Sequence, residues 1–281
     1  MKAKRIKNDA LPTIWRVSDL MWEIIEPIIL EFDPPHEIGR HRIDARAAFD
    51  AIIYVVRTGC QWNHLPAEYP DDSSVHRTMQ RWIEHDVFTH IWAGLVLLCD
   101  LLGAVDWEWQ AADTSMGKAR SGGDQVGPNP TDRAKRGVKR SVITEGSGRP
   151  LGVVLAGANV VDFQLLRDTI KAIVVPRPTP SAEHPQHLSL DKGYDNPVGR
   201  QTVDAEHYIP HIRHRGEAKT RPDDRMYPPR RWKVERLLAW LSKCRGVMTR
   251  YAKKSANYLA LIQVACILLW MRRLLELTVL R

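Results

Sequence analysis

The sequence predicts an α/β chain in two parts, an all-helical segment over residues 1–103 and a mixed five-stranded sheet with flanking helices over 104–281. Three observations carry this. Apolar residues recur at helical spacing as far as Gly103, beyond it the period drops to two, and strands then alternate with helices as a right-handed crossover requires. A chain of 281 residues accommodates about two domains of roughly 100–200 residues each.

Ser18 is placed to cap a first helix whose Leu20, Met21, Ile24, Ile25, Ile28 and Ile29 share one face, and Asp33-Pro34-Pro35 ends it. A second helix starts near Asp44, carries Ala47, Ala48, Ile52, Val55 and Val56, and stops at Gly59. After a loop with Pro66 and Pro70, Ser73 or Ser74 is expected to cap a third helix through Val75, Met79, Trp82 and Ile83. A very apolar fourth helix follows over 88–102.

Beyond Gly103, Val105, Trp107, Trp109, Ala111 and Asp113 alternate with polar neighbours, which predicts a strand closed by Asp113. A Gly-, Pro- and Lys/Arg-rich loop over 117–137 leads into a hairpin, 139–144 and 151–156, turned at Gly146 and Gly148. Asp162 is expected to cap a helix with Leu165, Leu166, Ile170 and Ile173. A short strand over 187–191, a helix opened by Asn196-Pro197, a strand over 207–212 and a polar link over 216–225 follow. Two helices, 230–250 and 255–280, complete the chain.

Composition narrows the function classes. Hydrophobic residues make up 44% and charged residues 26%, which excludes a disordered chain or a fibrous rod. Four cysteines lie far apart without a CxxC pair, which excludes a disulfide framework or zinc ribbon and fits a reducing cytoplasm. The most apolar run, 258–270, contains Gln263 and is shorter than the ~20 residues a bilayer needs, so no membrane role is expected. Net charge is +8, and residues 211–254 hold 14 Lys/Arg against 4 Asp/Glu, so the whole excess lies in that segment. Such localisation is the footprint of a polyanion partner, nucleic acid above all, with a solvated basic helix as the alternative.

Carboxylates at strand ends come first among residues able to carry chemistry. Asp113 and Asp191 both end predicted central strands, where an unpaired acid is costly and where ligands of open sheets gather; a turn or cap role is the alternative for each. Glu235 stands one helical turn after Arg231 on the same face, as a surface ion pair or as a third acid. Three acids meeting would form a hard, oxygen-only site suited to Mg²⁺, since only a divalent cation relieves their repulsion. In the third helix His76, Arg77, Gln80 and Arg81 fall off the apolar stripe, as in a helix-turn-helix-like DNA reader, although the 59–73 connection is longer than that motif's turn and a plain packing pair shows the same pattern. His184/His187 and His211/His214 have HxxH spacing but no third ligand, and read as incidental. The tryptophans at 62, 82, 92, 107 and 109 read as core.

Five stretches together carry a family likeness: Ala112-Asp113-Thr114-Ser115, the run 127–140, the run 155–159, Leu190-Asp191-Lys192-Gly193-Tyr194-Asp195, and Arg231 to Arg236. With the runs 58–66 and 74–82 upstream, the sequence from about Leu11 to Trp270 resembles bacterial insertion-sequence transposases of the DDE group, in the branch numbered five, sister to branch four. The resemblance implies an RNase H-like catalytic core in 104–281 and a DNA-end-binding helical domain in 1–103. It implies that Asp113, Asp191 and Glu235 are catalytic acids holding two Mg²⁺ ions, with Mn²⁺ able to substitute, and that no covalent protein–DNA intermediate forms. It further implies DNA as partner, both the element's terminal inverted repeats and the target, with a homodimer in the synaptic complex. The family's signature around the last acid is Tyr, two residues, Arg, three residues, Glu, six residues, Lys. Arg231 and Glu235 fit it, while Tyr227 lies one residue early and Ser242 precedes the lysine, Lys243. Arg231, Arg236, Lys243 and Arg245 are the expected phosphate contacts, and Asn129, Arg133, Lys135 and Arg136 form a second basic loop for the transposon end. Two rivals remain at this point: a DNA-binding protein with a repurposed core, and a nuclease of the same fold that joins nothing.

Overall fold

The computed structural model describes residues 13–35, 41–214 and 227–279. The polar link at 216–225, the first twelve residues and Leu280 lie outside the described residues.

Four helices come first: α1 (Asp19–Phe32), α2 (Ala45–Thr58), α3 (Asp72–Glu84) and α4 (Val87–Leu101). Asp44 caps α2 by accepting from the Ala47 N–H, and Gly59 ends it in the left-handed conformation at φ 68°. The expected serine cap of α3 is replaced by Asp71, whose carboxylate accepts from the Ser74 N–H and both serine hydroxyls. A charged oxygen one turn earlier is the stronger acceptor. Ser18 holds the first cap position of α1 but makes no side-chain cap bond.

The sheet is built from β1 (Trp109–Lys118), β2 (Gly127–Pro128), β3 (Arg136–Glu145), β4 (Pro150–Gly157), β5 (His187–Leu190) and β6 (Ile209–Ile212). Its main path runs β4-β3-β1-β5-β6; β1, β5 and β6 are parallel, and β3 is antiparallel to both its neighbours. The expected five strands are present, with a sixth, two-residue strand, β2, pairing the start of β3. Every residue of β3 after Arg136 is buried, as befits a strand covered on both faces. Helices α5 (Asp162–Lys171) and α6 (Pro197–Ala205) supply the crossovers into β5 and β6, and Asn196 caps α6 through the Gly199 N–H. Asp162 is the first residue of α5 rather than its cap, and it pairs with Lys139.

Two differences from the sequence pattern shape the site. Residues 105–108 are not in the sheet, and β1 runs on past Asp113, because β3 offers ladder partners as far as Lys118 opposite Gly137. Asp113 is therefore mid-strand. The helix expected over 230–250 is two, α7 (Trp232–Ser242) and α8 (Arg245–Met248). Gly246 in α8 lies so close to α2 that a β-carbon there would come 2.7 Å from the Val55 carbonyl, and this docking turns the chain after Lys243.

Helix α9 (Ser255–Val279) completes the core. Within it, Ser255–Thr278 is long and apolar enough to cross a membrane, yet two-thirds of its apolar window, 67%, is buried inside the molecule. It packs along α4, and the buried indoles of Trp92 (3.3 Å) and Trp270 (2.7 Å) both donate to the Pro150 carbonyl at the start of β4. One buried cluster thus runs from Met21 through the sheet to Leu274. Trp82 and Trp109 are buried too, while Trp62 and Trp107 pack half-buried against the core.

Candidate active site

Parallel pairing of β1 with β5 sets Ala111 opposite Ser189, so two residues further on Asp113 and Asp191 come side by side at the carboxyl end of β5. Each is held by its own backbone: Asp113 Oδ1 accepts from the Thr114 N–H at 2.8 Å and Asp191 Oδ1 from the Lys192 N–H at 2.6 Å. Glu235 arrives on the first turn of α7, which packs on β1 and β3 through the buried Val234, Leu237 and Leu241. The stripe that buries those residues turns Glu235 and Arg231 outward together.

Arg231 joins the three acids. Its Nη2 lies 2.9 Å from Glu235 Oε1 and 3.7 Å from Asp113 Oδ2, and its Nη1 lies 3.1 Å from Asp191 Oδ1. Burial pushes the Asp113 carboxyl above its ordinary value; Arg231 opposes this, while Asp191 and Glu235 add to it. Three acids against one guanidinium leave an excess of negative charge on an oxygen-only donor set, and that chemistry suits a hard divalent cation. Among the described residues no three acids, histidines or cysteines already close on a common point as a metal cage. Here the guanidinium stands between them.

The other candidates divide. Arg133 and Lys135 are exposed on the β2–β3 loop and Arg136 at the first position of β3; Asn129 organises the loop from a buried position by accepting from the Thr131 N–H and hydroxyl. Lys243 and Arg245 are exposed where α7 ends. Arg236 instead ties α7 to the β3–β4 turn by donating to the Ser147 carbonyl, and it stacks on Trp232 and Trp240. Of the four candidates on α3, only Arg77 is exposed. Arg81 donates to both oxygens of buried Asp33, His76 packs edge-on to Trp62, and Gln80 is half-buried, so these four do not form a single outward-facing row.

The structure adds one cluster that spacing alone did not reveal. His187 on β5 and His211 on β6, one from each HxxH pair, meet ring to ring at 2.8 Å, with Trp109 stacked on His187 and Tyr227 and Arg230 beside them. The cluster adjoins a cleft of about 630 Å³ that also includes Asp191 and Arg231. Their signal in the sequence was position: Trp109 and His187 both open a strand.

The sheet thus carries Asp113 on β1, Asp191 just past the end of β5, and Glu235 on the helix that packs over β1 and β3. Residues 99–270 match the family described as "Transposase DDE domain", and residues 17–92 match "Putative transposase of IS4/5 family". The chain belongs to the DDE transposases, and its activity is DNA transposition through metal-dependent strand cleavage and transfer. It is similar to the "Putative transposase for insertion sequence element IS402" of Burkholderia cepacia, at 33% identity over 153 residues, covering 53% of this chain and 70% of the relative. The "Insertion element IS402 uncharacterized 16.2 kDa protein" of the same organism is 30% identical over 118 residues, covering 41% of this chain and 80% of that one. Among solved structures, the piggyBac transposase synaptic complex with hairpin DNA aligns over 90% of this chain and 72% of that one, at 11% identity and a TM-score of 0.46.

Proposed function

We propose that Asp113, Asp191 and Glu235 are the catalytic acids of this transposase and together ligate two Mg²⁺ ions, for which Mn²⁺ substitutes. The observation that carries this reading is the contact of one guanidinium, Arg231, with all three carboxylates. When bound, the ions supply Lewis-acid activation of the attacking oxygen and neutralise the leaving one.

The chain's own residues do the rest. The Thr114 and Lys192 N–H groups fix one oxygen of Asp113 and of Asp191, so each acid presents its other oxygen without rotamer search. Asp113, the most buried of the three acids, anchors the set, and half-exposed Glu235 faces the DNA side. Arg231, Lys243 and Arg245 contact DNA phosphates around the scissile bond, and Arg133, Lys135 and Arg136 hold the transposon end. The attacking groups are water for end cleavage and the element's 3′-OH for joining, in line with their leaving groups; no side-chain nucleophile takes part. Residues 1–103 recognise the terminal inverted repeats, with Arg77 the exposed cation of α3, and 104–281 form the catalytic domain; the two family matches, which abut between 92 and 99, support that division. Joining two ends to one target calls for a homodimer, acting in the cytoplasm on nucleoid DNA.

A transposition assay with Mg²⁺, a labelled fragment carrying the element's ends and a supercoiled target tests this. Wild type yields cleaved ends and joined product, and Glu235→Gln loses both by on the order of 10³-fold or more. Equal product from the variant would remove Glu235 from the site, and cleavage without joining would favour a nuclease.

A further inference from the structure

Arg231 has more acidic partners than one cation can satisfy. Its two terminal nitrogens serve three carboxylates at 2.9, 3.1 and 3.7 Å, and its buried Nε has no hydrogen-bond partner among the described residues. Among the largest influences on the Asp113 carboxyl, Arg231 is the one cation. A divalent ion held by these acids needs their oxygens at about 2.0–2.6 Å from its centre. A guanidinium whose nitrogens already lie against the same three carboxylates, at Asp113 Oδ2, Asp191 Oδ1 and Glu235 Oε1, stands in the space that such an ion needs. The side chain is 37% exposed, springs from the residue just before α7, and borders the cleft beside Asp191, where Lys192 and Arg230 also stand. It therefore has both room to leave and a basic, phosphate-suited place to go.

We propose that Arg231 is an exchangeable counter-ion: in the metal-free protein it holds the three acids together, and on metal loading it turns into the cleft to take a DNA phosphate. This rests on the reading of Asp113, Asp191 and Glu235 as the metal site. Arg231 and the divalent ion then compete for the same carboxylates, whereas DNA and the ion help one another. By linkage, a phosphate that captures Arg231 tightens metal binding by the same factor by which metal tightens DNA.

The test is Mn²⁺ binding to the full chain without DNA, followed by the electron paramagnetic resonance signal of free Mn²⁺, for wild type, Arg231→Gln, Arg231→Lys and Asp191→Asn. Removing a unit charge at contact distance should tighten Mn²⁺ about tenfold or more in Arg231→Gln, with Arg231→Lys between it and wild type. In metal-free melts Arg231→Gln should unfold at a lower temperature than wild type, and added Mn²⁺ should raise its melting temperature by more. Arg231→Lys, which keeps the charge and hence the fold, guards against a variant that does not fold. Equal or weaker Mn²⁺ binding by Arg231→Gln, with wild-type binding that Asp191→Asn abolishes, would overturn the exchange and leave the metal site standing. Wild-type binding that Asp191→Asn does not change would overturn the metal-site reading and the exchange with it.

Discussion

Two carboxylate clusters in this molecule have opposite stoichiometry. In the helical part, the single acid Asp33, with a side chain only 2% exposed, receives Arg81 on both oxygens at 2.9 and 2.8 Å, Arg42 on Oδ1 and the Trp82 indole N–H at 2.9 Å. At the carboxyl end of the parallel strands, three acids share one cation, Arg231, among the described residues. The first cluster has cations and donors to spare and is complete; its work is to tie the end of α1 to α3. The second is short of positive charge, with one guanidinium for three carboxylates. The count of cations per acid distinguishes the two clusters more sharply than burial does: Asp33 is the more buried acid, yet it is the fully neutralised one, whereas the excess of acid around Arg231 is what the proposed metal site requires.

Breaking the complete cluster should have the largest effect on stability. Asp33→Ala takes a buried carboxylate from Arg81, Arg42 and the Trp82 indole at once and should cost about 3–5 kcal/mol in urea denaturation, with no dependence on added Mg²⁺. A loss below about 1 kcal/mol would mean the arginines find water and the hub is not structural.

Relieving the deficient cluster should do the reverse. The folded state raises the Asp113 pKa, so its ionisation favours the fold less than it does the unfolded chain. The associated stability is present below the unfolded value of 3.8 and lost as pH rises through the folded one. Asp113→Asn should therefore gain about 1 kcal/mol in metal-free protein at neutral pH, a rise of roughly 2–4 °C in melting temperature, while ending transposition. A destabilised variant would show that Arg231 already compensates the acid.

The histidine pair beside the site should give the smallest effect. Burial lowers the His187 pKa; Glu108 opposes this and Arg230 assists it. The unfolded chain therefore takes up a proton first as pH falls through the ordinary value of 6.5, and stability contributed at higher pH declines below about that point. His187→Gln should flatten this part of the stability–pH curve, and an unchanged slope would place the titration elsewhere.

Much of this was legible in the sequence, and what was not has a common cause. Asp113, Asp191 and Glu235 stood out because ionised groups in apolar strand and helix patterns demand an explanation, and the Arg231–Glu235 pair followed from helical spacing alone. That Asp113 lies mid-strand did not, because strand length is decided by β3, whose ladder with β1 continues to Gly137. The off-stripe row of α3 looked free for DNA because nothing local revealed Asp33, 48 residues before Arg81. The turn between α7 and α8 has no proline at 243–246 to announce it; it comes from Gly246 seating on α2. The His187–His211 contact is a cross-strand neighbour relation, and the two HxxH spacings that drew attention play no part in it. Short-range periodicity reports which side chains leave a face, and only the tertiary partner decides whether they meet solvent.

The central claim is that the three acids around Arg231 are one metal site. Crystals of the protein soaked with Mn²⁺, measured for anomalous scattering at the manganese edge, test it most directly. Manganese peaks are expected in contact with Asp113, Asp191 and Glu235, with the Arg231 guanidinium moved off all three. Manganese bound elsewhere, with Arg231 still bridging the acids at saturating metal, would contradict it.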